Sequence, residues 1–260
     1  MKIIYTAHGF HFYKGAPKKN WLIFYPIEKV CSNFTDVLIT INKEDYAFAK
    51  KHMNAKQVEY IPGVGIDTEK FAIPNFNVAE KRMELGLEDK AIMILSVGEL
   101  NQNKNHEVVI KAISKLENYN IHYFIAGKGD KEQYLQKLAK DLGVNLYLLG
   151  YRTDIIELLN AADIFVFPSF REGLSVALME AMAAGLPCVV SRIRGNIDLI
   201  EDNRGGYLCA PNDIEAFSEA IKELSQKEKR NTFGEYNCQS VKHYDIHKVL
   251  EMMMLIYERE

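Results

Sequence analysis

Short, continuously apolar runs alternate with longer amphipathic segments along most of the chain after residue 78. Such runs are typical of strands buried on both faces, whereas apolar positions recurring every three or four residues are typical of surface helices. The runs predict strands at 91–97, 121–126, 146–149, 164–167, 188–191 and 206–208. We expect helices near 79–85, 105–116, 130–142, 153–161, 174–184, 196–200 and 212–226. This α/β alternation predicts a parallel sheet that binds ligands at the carboxyl ends of its strands.

A shorter version of the same pattern occupies the first part of the chain. It predicts strands at 3–6, 37–41 and 58–61, and helices at 21–32 and 43–51. Pro74 and Asn75 favour a linker, because both residues are typical of turns and loops. We therefore expect one domain over 1–77, a second over 78–240, and a helix within 241–260 that packs back on the first domain.

Composition excludes several classes of protein. The 260 residues are 48% hydrophobic and carry a formal net charge of −3, so no whole-chain field favours nucleic acid as a partner. No apolar run approaches 18 residues, and we expect neither a transmembrane helix nor a signal peptide. The four cysteines form no Cys-x-x-Cys pair, which favours reduced core residues in a cytoplasmic protein over a disulfide framework or a zinc site.

The segment 163–187 contains two carboxylates in an informative arrangement. A buried strand breaks at Pro168, a short loop holds Glu172 and Gly173, and a helix follows from about Leu174, with Glu180 two turns into it. Eight residues would separate the two carboxylates by roughly 12 Å if all were helical. The free N–H groups at the helix start can face a diphosphate. The alternative is that one Glu complements the helix dipole and the other is solvated.

The sequence of this segment closely resembles a motif of one protein family. Pro-Ser-x-x-Glu-Gly followed by Glu-Ala-Met-Ala-x-Gly-x-Pro is similar to the Glu-x7-Glu motif of retaining family 4 glycosyltransferases, also called glycosyl transferases group 1. The resemblance implies a GT-B type fold of two Rossmann-like domains. It also implies that Glu172 is catalytic and lies against the transferred sugar, and that Glu180 holds the ribose. Gly173, Leu174 and Ser175 then contribute to nucleotide-sugar binding.

A second loop resembles the same family. Gly98-Glu99-Leu100-Asn101-Gln102-Asn103-Lys104-Asn105 is similar to the family's Gly-Arg-Leu-x-x-x-Lys-Gly loop. The resemblance implies that Gly98 contacts the nucleotide sugar and that Lys104 is a catalytic cation on the diphosphate. Glu99 stands where the family has Arg, so either Arg152 or Lys128 substitutes for that cation, or Glu99 turns away. The alternative for Lys104 is a solvated lysine.

Two further loops carry weaker signals. The loop with Arg152 lies beside the nucleobase in the family, which implies nucleotide binding; the alternative is a surface arginine ahead of a helix capped by Thr153 or Asp154. His8 resembles the family's strand-end histidine near the donor sugar and acceptor, which implies a catalytic role, with His11 a weaker candidate. A structural histidine is the alternative, although a near-neutral pKa suits proton sharing.

Basic and apolar residues adjoin near the start of the chain. Lys14, Lys18 and Lys19 precede the segment 21–25, which contains the chain's single Trp. This mixture favours peripheral contact with anionic lipid headgroups at the inner face of the cell membrane. The alternative is an ordinary packed helix that is preceded by basic residues.

The resemblance covers nearly the whole chain and implies a hexosyltransferase-type glycosyltransferase. Its donor would be a nucleotide sugar, a UDP-sugar by preference, and its acceptor a lipid-linked or other saccharide in capsule or other surface polysaccharide biosynthesis. The resemblance implies retention of configuration, with no metal and no other cofactor.

Two alternatives remain open at this stage. Family members resembling this chain carry more βα units upstream, so we expect the first domain to be incomplete and the strand near residues 3–6 to leave an exposed sheet edge. One alternative is therefore a non-catalytic nucleotide-binding remnant, or a chain that needs a separately encoded N-terminal fragment. The other alternative is an enzyme similar to a UDP-sugar epimerase, since fold alone does not fix function.

Overall fold

The computed structural model of the chain describes residues 2–73, 75–88, 90–116 and 120–258, and shows two parallel sheets. The smaller sheet has the strand order β1-β2-β3, with every neighbouring pair parallel. Its strands are β1 (Ile4–Ala7), β2 (Val37–Thr40) and β3 (Gln57–Tyr60), joined by the helices α1 (Lys18–Ser32) and α2 (Lys43–His52). The strand β1 therefore lies at one edge of this sheet.

The larger sheet has six parallel strands in the order β6-β5-β4-β7-β8-β9. These strands are β4 (Ile92–Val97), β5 (Ile121–Ala126), β6 (Asn145–Gly150), β7 (Ile164–Phe167), β8 (Cys188–Ser191) and β9 (Gly206–Cys209). The helix α3 (Val78–Glu84) precedes these strands. The helices between and after them are α4 (His106–Ile113), α5 (Glu132–Asp141), α6 (Ile155–Ala161), α7 (Val176–Ala183), α8 (Asn196–Leu199) and α9 (Ile214–Glu223). The order changes direction between β4 and β7, where an open α/β sheet commonly binds its ligand.

Both faces of the larger sheet are buried, and this explains its continuously apolar strands. Met93 and Leu95 of β4 point into one cluster, while Ile94 points into the cluster on the opposite face. Successive side chains of a strand alternate between faces, so each face needs apolar residues when helices cover both.

The predicted elements of both sheets are present, with small differences at their ends. The helix predicted from about Leu174 begins at Val176, because Ser175 is its N-cap and its hydroxyl accepts the Leu178 N–H. Pro74, predicted to lie in a linker, falls outside the described residues. The helix α10 (Lys227–Ser240) was not predicted, since its apolar residues form no clear stripe.

A C-terminal helix, α11 (Ile246–Tyr257), packs against the smaller sheet. Its buried Val249 and Ile256 share a cluster with Val37, Ile39 and Ile61. The chain therefore crosses from the larger sheet back to the smaller one before it reaches residue 258.

Two further observations concern expectations drawn from composition. Within the described ranges, no helix has both the length and the hydropathy that crossing a bilayer requires. The expectation that all cysteines are core residues is wrong for Cys31, which is exposed on α1, whereas Cys188 and Cys209 are buried.

Candidate functional site

Lys104 and Glu172 meet at the carboxyl edge of the larger sheet, in the loops that follow β4 and β7. The Lys104 ammonium donates a hydrogen bond to Glu172 Oε1 at 2.7 Å, and only 20% and 16% of the two side chains are exposed. Lys104 Nζ also lies 4.8 Å from the centre of the Phe167 ring. An ion pair shielded in this way is stronger than one in open solvent, so it fixes both side chains at the switch point of the sheet.

Asparagines hold these two loops together. Asn103 Nδ2 donates to Arg171 O at 3.0 Å, and the Phe170 N–H donates to Asn103 O at 2.8 Å. Asn105 adopts a left-handed conformation with φ 52°, and its side-chain amide donates to Pro168 O at 3.1 Å. Asn tolerates that backbone region better than most residues, which explains an asparagine directly before α4.

Gly98 leaves room for the Lys104 side chain. Its φ is +156°, and a Cβ atom at this position would lie 3.2 Å from Lys104 Cε. The Gly98 N–H donates to Ala126 O and so continues the ladder between β4 and β5. The predicted contact between Gly98 and a nucleotide sugar remains a prediction.

Glu180 lies in the second turn of α7 and is half-buried. Burial raises the pKa of its carboxyl group, and the positive charge of Lys70 acts in the opposite direction. Because residues 172–175 precede the helix, the 12 Å separation based on a continuous helix does not describe Glu172 and Glu180. The structure shows no hydrogen bond to the Glu180 carboxylate within the described residues, so this half-buried group is suited to accept hydrogen bonds from ligand hydroxyls.

The start of α7 differs in detail from the expectation. Leu174 is buried, and a Cβ atom on Gly63 would lie 2.7 Å from Leu174 Cδ2, so its side chain packs against the smaller sheet's last loop. The hydroxyl of Ser175 accepts the Leu178 N–H. Only backbone groups of Gly173 and Leu174 are therefore left for a ligand, and the free helical N–H groups begin at Val176.

Three glycines bring loops from both sheets into direct contact. A Cβ atom on Gly173 would lie 2.6 Å from His8 O, and one on Gly195 would lie 1.5 Å from Gly173 O. Gly9 adopts φ +138°, and a Cβ atom on it would lie 3.7 Å from Gly173 Cα. No other residue type fits at Gly195 without movement of the backbone.

These contacts enclose a cleft of about 250 Å³ between the two sheets. His8 and His11 line it from the smaller sheet's side, and Arg171, Glu172 and Gly173 line it from the larger sheet's side. His11 also stacks on Phe24 of α1, with ring centres 4.6 Å apart. The structure therefore brings His8, Glu172 and Lys104 to one place, although their assigned roles remain predictions.

Arg194 is a candidate residue that the sequence did not reveal. It is 8% exposed, and its Nη1 donates to Asp45 at 2.6 Å while its Nη2 donates to Phe10 O at 2.6 Å. Asp45 accepts the Phe10 N–H at 3.0 Å in turn. An arginine from the larger sheet and an aspartate from the smaller one thus hold Phe10 at both its N–H and its C=O, two residues after His8.

The three residues considered for the family's arginine position behave differently. The Glu99 carboxylate is exposed and accepts the Asn101 amide at 2.6 Å. Arg152 donates to Asp154 at 2.7 Å and also pairs with Glu84, so it is already neutralised by carboxylates. Lys128 is exposed, and no ion pair involves it within the described part of the chain. The proposed nucleobase contact of Arg152 remains a prediction.

The helix after Arg152 is not capped as expected. Asp154 occupies the N-cap position of α6 without a capping hydrogen bond. Its carboxylate binds Arg152 and the buried Lys81 instead, and the hydrogen bond from Arg152 lowers the pKa of Asp154. The side chain that sequence analysis assigned to a cap therefore belongs to an ion-pair network.

His106 contacts the backbone of the loop that contains Glu99 and Lys104. Its Nε2 lies 3.2 Å from Glu99 O and its Nδ1 lies 2.9 Å from the Tyr123 hydroxyl. Because the carbonyl can only accept, the proton of the neutral ring is on Nε2. Burial lowers the pKa of His106 to about 4, so this neutral tautomer persists at neutral pH.

The site is built from anionic and cationic side chains without a cluster of metal ligands. Among residues 2–73, 75–88, 90–116 and 120–258, no group of three or more His, Cys, Asp and Glu side chains is arranged to hold a metal ion. The expectation of a metal-independent reaction remains a prediction.

Relatives of known sequence cover most of this chain. It is 37% identical to the putative glycosyltransferase EpsD of Bacillus subtilis (strain 168), over 98% of this chain and 69% of that protein. It is 32% identical to the UDP-Gal:alpha-D-GlcNAc-diphosphoundecaprenol alpha-1,3-galactosyltransferase of Escherichia coli, over 92% of this chain and 63% of that protein. The chain therefore spans about two thirds of the length of these relatives.

Solved structures share the fold at lower identity. Anabaena Alr3699/HepE, in complex with UDP and glucose, has a TM-score of 0.86 and 18% identity over 98% of this chain and 71% of its own. WaaG, a glycosyltransferase involved in lipopolysaccharide biosynthesis, has a TM-score of 0.81 and 23% identity over 99% of this chain and 75% of its own. These likenesses confirm the predicted GT-B type α/β fold class.

A family model adds the last comparison. Residues 77–239, which include both Lys104 and Glu172, match the model described as glycosyl transferases group 1. With this match and the identity to EpsD over nearly the whole chain, the resemblance inferred from the motifs is confirmed. The chain belongs to the glycosyl transferases group 1 family.

Proposed function

We propose that this chain binds a nucleotide sugar, a UDP-sugar by preference, and transfers the sugar with retention to a lipid-linked or other saccharide acceptor in surface polysaccharide biosynthesis. The 2.7 Å contact between Lys104 and Glu172 carries the proposal, because it places a shielded cation and a carboxylate at the carboxyl edge of the sheet. Support for a uridine nucleotide comes from HepE, which binds UDP and glucose, and from the E. coli relative named for a UDP-Gal donor.

The contacts suggest how the donor would bind. The Lys104 ammonium would leave Glu172 and bind the diphosphate, while the free N–H groups at Val176 and Ala177 face the same anion. Glu172, released from Lys104, would accept a hydroxyl of the sugar. The half-buried carboxylate of Glu180 would accept hydrogen bonds from the ribose hydroxyls.

The transfer step needs no protein nucleophile in this proposal. The bond between the anomeric carbon and the diphosphate oxygen breaks, and a bond from the acceptor hydroxyl oxygen forms on the same face of the sugar. The departing diphosphate oxygen takes the hydroxyl proton. Lys104 stabilises the charge that develops on that oxygen, and the cleft walls position the two reactants.

Calorimetric titration of the protein with UDP tests the donor site. Lys104→Ala removes the only side-chain cation assigned to the diphosphate, and we expect at least about tenfold weaker binding of UDP. Lys137→Ala, at an exposed position of α5, serves as the matched control and should leave the affinity unchanged. Equal affinity of the Lys104→Ala variant and the unaltered protein would remove Lys104 from the site.

Product analysis tests the reaction. Glu172→Gln frees Lys104 from its partner, so we expect UDP to bind as tightly as before or more tightly, while transfer to a saccharide acceptor is lost. Incubation of the unaltered protein with a UDP-sugar and no acceptor separates the alternatives. A new UDP-sugar epimer would indicate epimerisation. UDP binding with no product, even when a saccharide acceptor is added, would indicate a nucleotide-binding protein that does not catalyse transfer.

A further inference from the structure

A second cavity adjoins the cleft that holds His8 and Glu172. It has a volume of about 210 Å³ and lies between the loop after β1, the start of α2 and the loops after β7 and β8. Arg171 and Arg194 line both cavities, so the two spaces share a wall. A molecule whose reactive end occupies the first cleft can therefore extend into the second.

Cationic side chains dominate this second cavity. Lys14 and Arg171 have no acidic partner among the residues that the structure describes. Arg192 is paired with Asp202, and Arg194 is paired with Asp45. The opposing charge is Glu44, which accepts the Lys14 N–H at 3.1 Å. Two unpaired cations against one carboxylate leave the cavity positive in a chain whose formal net charge is −3.

Arg194 also offers an unused hydrogen-bond donor at this place. Its two terminal nitrogens are occupied by Asp45 and Phe10 O, whereas Nε is buried and has no partner. A buried donor without a partner is unfavourable, so a small shift of this side chain toward an acceptor atom of a bound ligand would be favoured. The Arg194 side chain, like that of Arg171, lines both cavities.

The cavity is pre-formed and partly apolar. Hydrogen bonds from and to Asn103 fix the backbone of Phe170 and Arg171, which limits the ordering that a ligand would have to impose. Tyr13, Phe170 and Ile197 supply aromatic and aliphatic surface among the cations. Such a mixture suits a ligand that carries anionic and apolar parts together.

Exposed apolar side chains follow directly along the chain. The helix α1 begins at Lys18, and the Asn20 amide ties its first turn to His11 O at 2.8 Å. Its exposed apolar residues are Leu22, Ile23, Phe24, Ile27 and Val30. The apolar surface of α1 therefore begins a few residues along the chain from Tyr13 and Lys14, which line the cationic cavity.

We propose that this cavity binds the diphosphate of a lipid-diphosphate-linked acceptor, through Lys14 and Arg171, with Arg194 on the wall that it shares with the first cleft. The acceptor's sugar then reaches the cleft with His8 and Glu172, while its lipid passes toward α1. This inference rests on the proposed glycosyl transfer and adds the position of the acceptor's anionic group. Diphosphate oxygens match these donors, because charge-assisted hydrogen bonds to Arg and Lys are strong.

Calorimetric titration with decyl diphosphate, below the concentration at which it aggregates, tests the cavity directly. The titration is done with and without saturating UDP, so that the donor site is filled in one arm. We expect Arg171→Glu and Lys14→Glu each to weaken decyl diphosphate binding at least about tenfold, with UDP affinity unchanged. Lys137→Glu on α5 makes the same change of charge and should alter neither affinity.

Other outcomes would overturn the inference. Unchanged decyl diphosphate affinity in both variants would exclude the cavity, and a parallel loss of UDP affinity would place the two cations in the donor site. Inorganic pyrophosphate binding as tightly as decyl diphosphate would exclude a lipid-linked ligand. If the two variants lost affinity for phosphatidylglycerol vesicles but kept their affinity for decyl diphosphate, the two cations would bind a membrane surface instead.

The proposed transfer and the acceptor cavity can fail separately in these experiments. If the unaltered protein does not bind UDP, the proposed function fails, while the arm without UDP still reports on the cavity. If UDP binds and decyl diphosphate does not, the cavity assignment fails and the donor site stands.

Discussion

Glu180 combines a cost in stability with a proposed role in binding. Its carboxyl group is half-buried in α7, and burial raises its pKa above the ordinary value. A carboxyl group that titrates higher in the folded protein than in the unfolded chain lowers stability at pH values where it is ionised. Functional groups often carry such a cost, since a site that is already satisfied binds no ligand.

Glu180→Gln should therefore stabilise the protein near neutral pH. The folded-state pKa lies above the unfolded one, so the penalty is fully present above the folded pKa and disappears as pH falls below the unfolded value, about 4.3. We expect a higher melting temperature for the variant at pH 7.5 and a much smaller gain at pH 4. Thermal unfolding at the two pH values measures this, and an equal gain at both would show that the ionised carboxylate is not its source.

The same variant separates stability from binding. An amide can donate and accept but carries no charge, so it binds ribose hydroxyls less strongly than a carboxylate does. A variant that unfolds at a higher temperature and binds UDP more weakly would fit both properties assigned to Glu180. A more stable variant with unchanged UDP affinity would leave the electrostatic argument intact and remove Glu180 from the ribose.

The loops at the carboxyl edges of the two sheets depend on one another through close backbone contacts. Gly195 has φ +81°, and its virtual Cβ lies 1.5 Å from Gly173 O. Gly143, at the end of α5, has φ +66° but nothing within 4 Å of its virtual Cβ. The two glycines therefore share an unfavourable backbone region for other residues and differ in their surroundings.

Substitution of both glycines by alanine isolates the contact. Gly143→Ala should cost about 1–2 kcal/mol of unfolding free energy, which is the penalty of the left-handed conformation. Gly195→Ala should cost about 1–3 kcal/mol more, because the loop after β8 must move away from Gly173. Denaturant unfolding of the two variants measures the difference, and equal losses would mean that the loops separate without cost.

Periodicity predicted the elements of both sheets because the central strands are buried on two faces, as β2, β4, β7 and β8 show, and the connecting helices cover them with one face. The unpredicted α10 lacks this signal: Gly234 in its middle packs against the Gly185 backbone, so close approach replaces an apolar stripe. Motif spacing singled out Lys104 and Glu172, which the structure brings into contact. It could not pair Arg194 with Asp45, since 149 residues separate them and only the fold joins them.

The arrangement of the two sheets rests on that buried pair, on the glycine contacts and on α11. Arg194 and Asp45 are 6% and 2% exposed in their side chains, and Asp198 of the larger sheet's side accepts the Lys43 N–H at 2.8 Å nearby. The pair does more than join two charges, because both partners bind the Phe10 backbone. The position of His8 in the cleft is therefore coupled to how the two sheets meet.

Removing one partner should be costly, and removing both less so. Arg194→Met leaves the Asp45 carboxylate buried without its counter-ion, which should cost about 3–5 kcal/mol of unfolding free energy. Asp45→Asn combined with Arg194→Met removes the stranded charge, so we expect the double variant to be more stable than Arg194→Met alone. Denaturant unfolding of the four proteins gives the coupling between the two residues.

Amide exchange distinguishes a local role from a global one. If the pair positions the loop after β1, the Phe10 N–H should lose protection in the double variant, while the amides of β4 and β5 keep theirs. Equal loss of protection at all these amides would mean that the pair only adds to overall stability. Unchanged protection at Phe10 would mean that the loop keeps its position without the help of Arg194.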